Sequence, residues 1–126
     1  MIFSRALVLS FIFFGAHAIF SFVYADVEKT LVSWVMMQDR NIKAGSILTL
    51  QEENKFDGII FAEKMDDKWM AGSDNWARSE NNQEKYPGWD AKMGSLVQMA
   101  IVYQKELISI FRDGKPYASY PAKNID

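Results

Sequence analysis

The stretch from Ser95 to Tyr120 reads SLVQMAIVYQKELISIFRDGKPYASY, and it decides the fold. Val97, Met99, Ile101 and Tyr103 recur with a period of two, which predicts a strand with one buried face. Gln104-Lys105-Glu106 turns the chain. In Glu106–Arg112, Ile108 and Ile110 fall opposite Leu107 and Phe111, again with strand period. Asp113-Gly114 between two apolar runs is a hairpin signal, because both residues tolerate the positive φ of a tight turn. Lys115–Tyr120 returns, with Pro116 near its start, where a missing N–H costs least.

Working outward, Lys29–Met37 is rich in β-branched and apolar residues and reads as a strand with both faces partly covered. Residues 38–45 form a polar connection. Ser46–Gln51 is a second strand, Glu52–Lys55 a charged turn, and Asp57–Lys64 a third strand with Ile59, Phe61 and Glu63 on one face. Asp66-Asp67 turns the chain into a short strand, Lys68–Gly72. Trp34 and Trp69 fall within strands and are expected in the core. Residues 73–94, SDNWARSENNQEKYPGWDAKMG, show neither a period of 2 nor of 3.6 and predict a long surface loop. Seven short strands separated by turns predict an all-β, antiparallel β-sandwich. Residues 26–126 contain no amphipathic helix and no repeat.

Residues 1–25, MIFSRALVLSFIFFGAHAIFSFVYA, have the form of a secretory signal, read as helical. Arg5 supplies the positive start, Ala6–Phe14 the apolar centre, and Ala16-His17-Ala18 and Val23-Tyr24-Ala25 two small-x-small cleavage sites. Cleavage after Ala25 is favoured over Ala18, because Asp26 opens the polar, strand-like sequence. The competing reading is an uncleaved membrane anchor, since Ala6–Ala25 is about long enough to span a bilayer. The expected location is secreted or periplasmic, or membrane-anchored if the segment stays.

Composition narrows the chemistry. The 126 residues hold no cysteine, and the one histidine, His17, lies in the leader. Disulfides, thiol nucleophiles, histidine-based catalysis and Cys or His metal sites are therefore excluded from residues 26–126. Without the leader and its Arg5, 13 basic residues face 16 acidic ones, a net charge of −3. That balance, with no basic stripe and no phosphate-binding glycine motif, argues against nucleic acid as a partner.

Leu96–Tyr103 followed by Ile108–Tyr120 resembles the central hairpin of laminin-G-like, concanavalin A-like jelly-roll domains. Thr30–Val35 resembles an early strand of the same domains. Asp57–Phe61 with Trp69–Asp74 resembles the version found beside bacterial glycoside hydrolase modules, notably of the fructan-cleaving family 32. The likeness spans roughly residues 29–121 and implies a jelly roll. It also implies an incomplete one, because the later strands of such domains have no counterpart before Asp126. The chain thus resembles the N-terminal part of a longer protein, whose open sheet edges would favour association.

The resemblance implies a non-catalytic, lectin-like accessory module that binds carbohydrate. The alternative is a structural module packed against a neighbouring hydrolase domain. The residues themselves favour no catalysis. Glycosidases need two facing carboxylates, and Glu63, Asp66, Asp67, Asp57 and Asp74 lack the Glu-x-Asp-x-x-Glu pattern of concanavalin-like glucanases. Sugars bind through aromatic faces and amide or carboxylate hydrogen bonds. The candidate contacts are Trp76, Trp89 and Tyr86 with Asp74, Asn75 and Asn82, set against a role for the aromatics in anchoring the loop. No cofactor is expected. Such a fold can hold Ca2+, with Asp57 and Asp74 nearest to ligands in type but no Asp-x-Asp-x-Asp-Gly loop and a solvated loop position the expected role.

Overall fold

The computed structural model describes residues 28–123, so the leader expected at residues 1–25 lies outside the described residues. Seven strands follow one another: β1 (Lys29–Met36), β2 (Gly45–Glu52), β3 (Lys55–Phe61), β4 (Trp69–Ser73), β5 (Leu96–Tyr103), β6 (Leu107–Arg112) and β7 (Lys115–Pro121). A 3-10 turn, Asp74–Trp76, follows β4. The described chain is all-β. β1, β5, β6 and β7 form one antiparallel sheet in the order β1-β5-β6-β7, and β2, β3 and β4 form a second in sequence order.

Alternation decides which face each sheet buries. In the first sheet Leu31, Ile101 and Ile110 lie side by side across β1, β5 and β6. With Val97, Met99, Tyr103, Ile108, Tyr117 and Tyr120 they form the buried face. The second sheet adds Ile59 and Phe61 from β3 and Trp69 and Ala71 from β4 to the same cluster. Each fully buried apolar side chain of this size stabilises by about 1.5–3 kcal/mol. Phe61, Trp69 and Trp89 meet as a tilted triple, with centroids 4.9, 6.0 and 6.2 Å apart. Gly72 keeps β4 close to β3, because a Cβ there would run into the Ile60 side chain.

Two expectations change. Trp34 is not a core residue but 60% exposed. On β1 it shares parity with Val32 and Met36, and all three face out, while Leu31 faces in. The β1 sequence looks apolar on both faces because its outer face is apolar and uncovered. The third strand also ends early, at Phe61. Ala62 takes a left-handed φ of 56° and closes the turn by donating its N–H to Lys68 O, so Glu63 leaves the Ile59–Phe61 face.

The segment after β4 is less peripheral than its composition predicts. β4 is an edge strand, yet all five of its residues are buried. Its outward backbone groups are taken by side chains. The Trp69 N–H donates to the Tyr117 hydroxyl at 3.0 Å, and Ala71 O accepts from the Ser79 hydroxyl at 2.6 Å. Gln83 is fully buried beside them, its amide nitrogen 3.7 Å from Met70 Sδ. An unpaired strand edge is a template for foreign strands, and residues 77–89 seal this one.

Candidate functional site

The strand-free segment and the return strand together build an open cleft. Its lining residues are Glu80, Asn82, Lys85, Tyr86, Tyr117, Ala118, Ser119 and Tyr120, and its volume is about 410 Å³. Tyr117 and Tyr120 stand three apart on β7, and the register shift where Ile110 pairs with Ala118 but Phe111 with Pro116 lets both turn to the core side, while the loop brings Tyr86 edge-on to Tyr117, centroids 5.7 Å apart. The loop is held from both sheets. Tyr117 donates its hydroxyl to Pro87 O at 2.6 Å, and Tyr120 donates to Arg78 O at 2.8 Å. The Lys68 ammonium donates to Tyr86 O at 2.6 Å. Glu80 shapes the turn by accepting the N–H groups of Asn81 and Asn82.

The Tyr86 hydroxyl is buried and has no hydrogen-bond partner among the described residues. Burial, helped by the nearby Glu80 charge, pushes this phenol well above its ordinary range. It therefore stays neutral and can both donate and accept. Asn82 spends its side-chain oxygen on Glu84 N–H at 3.2 Å. No described residue takes its amide nitrogen.

Of the six residues expected to contact sugar, the cleft brings together two, Tyr86 and Asn82. Trp89 lies in the core at 3% exposure and offers no free face. Its ring packs against Phe61 and Trp69, and its backbone N–H donates to the Asp67 carboxylate at 3.1 Å, so it anchors the loop. Trp76 is 48% exposed but stands outside the cleft, with the Lys64 ammonium 5.1 Å above its ring. Asn75 is exposed beside it, and the Asp74 carboxylate accepts Phe56 N–H at 3.4 Å. The sequence reading missed Tyr117 and Tyr120 as lining residues. Their spacing of three would place them on opposite faces of a regular strand, and only the register shift between β6 and β7 brings them together.

A second cluster lies at the start of β1. The Asp57 carboxylate is fully buried and ion-paired with both Lys29 and Arg78, and both cations lie over the Tyr103 ring at 5.4 and 5.8 Å. Two side-chain cations already occupy Asp57, which does not fit a calcium ligand. Among the described residues no three acidic or histidine side chains come together as a metal site. Arg40 holds Asp67 through both carboxylate oxygens, each at 3.1 Å, so this carboxylate braces a turn. No family model, curated protein or solved structure matches the chain.

Proposed function

We propose that the chain is a non-catalytic, lectin-like carbohydrate-binding module whose two sheets stack as a concanavalin A-like jelly roll. It would be exported behind its leader and work beside a glycoside hydrolase domain. The single observation that carries the reading is the tyrosine cleft, with its buried, unpartnered Tyr86 hydroxyl and its polar rim of Asn82, Lys85 and Ser119. Its volume of about 410 Å³ is in the range of small-molecule sites. Tyrosine rings offer an apolar wall to sugar C–H groups and a polar tip to sugar hydroxyls. A ligand hydroxyl reaching Tyr86 would satisfy a group that otherwise costs about 1–3 kcal/mol to leave unpaired.

An open cleft of this kind gives weak binding, roughly millimolar to micromolar, or about 4–8 kcal/mol. The test is retention on a panel of soluble polysaccharides, with the thermal midpoint measured in parallel. Tyr86→Phe removes only the hydroxyl and is expected to lower retention about tenfold at an unchanged or higher midpoint. Trp76→Ala, outside the cleft, is expected to change neither. Failure of every polysaccharide to retain the wild-type chain, or full retention by Tyr86→Phe, would overturn the reading.

A further inference from the structure

Across β1, β5 and β6 the outer face of the four-stranded sheet is largely apolar and bears no charge. Outward positions on β1 are 30, 32, 34 and 36, on β5 they are 96, 98, 100 and 102, and on β6 they are 107, 109 and 111. None holds Asp, Glu, Lys or Arg. Val32, Trp34, Met36, Leu96 and Leu107 are all exposed there, Trp34 and Leu96 at 60% each. Pairing places them as one surface: Met36 lies opposite Leu96, Trp34 opposite Gln98 and Val32 opposite Ala100, with Phe111 next to Ala100. The inner face of the same sheet is already filled by the core.

From this face we infer that the chain self-associates, the uncharged outer sheet of one copy packing against the same sheet of a second copy. The inference is independent of the tyrosine cleft, which is lined from the β7 end of the sheet and from residues 80–86. One observation selects a second copy as the occupant. The chain is net acidic, so two copies repel over most of their surfaces, and a charge-free face used by both copies in a two-fold contact is where they can meet without that penalty.

Size makes the contact weak. Three strands spaced about 4.8 Å apart and about seven residues long, at about 3.3 Å per residue, cover roughly 330 Å². Pairing two such faces buries about 660 Å² before side-chain relief is counted, below the roughly 1,000 Å² at which stable specific interfaces begin. The dimer should therefore be reversible, with Trp34 as its central anchor, because an aromatic ringed by smaller apolar groups is the usual hot spot. Face-to-face sheets pack about 10 Å apart, and Trp34, Met36 and Leu96 would fill that gap.

The test is sedimentation equilibrium of the purified full chain across roughly micromolar to millimolar concentration. Wild type should show a monomer–dimer equilibrium, and acrylamide quenching of tryptophan fluorescence should fall as concentration rises. Trp34→Lys should weaken the dimer at least about thirtyfold while circular dichroism keeps the strand signal. Leu96→Lys, at an equally exposed position across the same face, should do the same and stands in if Trp34→Lys misfolds. The leader is present in every variant, so a difference between them reports this face. A wild-type chain that stays monomeric throughout, or a dimer that survives both lysines in folded protein, would overturn the inference.

Discussion

The Tyr117 hydroxyl accepts the backbone N–H of Trp69 at 3.0 Å and donates its own O–H to Pro87 O at 2.6 Å. One side chain of the four-stranded sheet thus closes the free edge of the three-stranded sheet and ties down the loop that covers it. Burial pushes this phenol up to about 12, so it is a neutral donor over the whole range in which the protein would work.

Tyr117→Phe should show what that edge closure contributes. The ring and its packing stay, but a buried N–H and a carbonyl lose their partner. The expected loss is about 1–3 kcal/mol, read as a lower urea midpoint at an unchanged slope. A midpoint equal to wild type would mean that water replaces the hydroxyl and that β4 is not held by Tyr117.

The strands were legible because side-chain alternation is a local property. The Val97-to-Tyr103 run and the Asp113-Gly114 turn place three strands without any knowledge of their neighbours, and those strands form as read. Trp34 was not legible. Its parity on β1 is plain, but nothing local says which parity meets the second sheet. The site was harder still. Trp89 and Trp76 sit in similar polar surroundings in the sequence, yet one packs against Phe61 and Trp69 in the core and the other stands under Lys64. Asp57 looks like any turn carboxylate until β1 and residue 78 bring Lys29 and Arg78 onto it.

The two loop tryptophans therefore make a contrast. Trp89→Ala should cost about 3–5 kcal/mol, the usual loss for a large aromatic removed from a core. Trp76→Ala should stay within about 0.5 kcal/mol, as for a surface site, since its one neighbouring cation is exposed. Chemical denaturation of both variants checks this. Equal costs would refute the placement of Trp89 as the anchor of the segment.

Asp57→Ala should be among the most damaging single changes in the chain. Lys29 and Arg78 would keep their charges in a largely buried setting without the carboxylate that sits between them. Breaking a buried ion pair by removing one partner costs about 3–5 kcal/mol, against a total stability of about 5–15 kcal/mol for an ordinary domain. Loss of the cooperative unfolding transition, or a midpoint lowered by that amount, is the expected result. Asp57→Ala with a wild-type midpoint would mean that the two cations reach solvent.

Alkali should unfold the protein through its tyrosines. Four of the five tyrosines in the chain, Tyr86, Tyr103, Tyr117 and Tyr120, are all raised, first by burial. The Asp57 charge adds to the shift at Tyr103, and the hydroxyl of Tyr86 adds to that at Tyr120. In the unfolded chain a tyrosine ionises near pH 10. Below that pH the phenols are protonated in both states, and their contribution to stability is intact. Above it the unfolded chain gives up protons that the native fold retains, so stability falls as pH rises, by up to about 1.4 kcal/mol per pH unit for each tyrosine. Phenolate absorbance and circular dichroism should be followed together from pH 8 to pH 13. The absorbance of these four groups should rise in one cooperative step with the loss of strand signal, between about pH 10 and 12. Phenols that ionise independently near pH 10, with the sheets intact, would show that their hydroxyls are not buried in the fold.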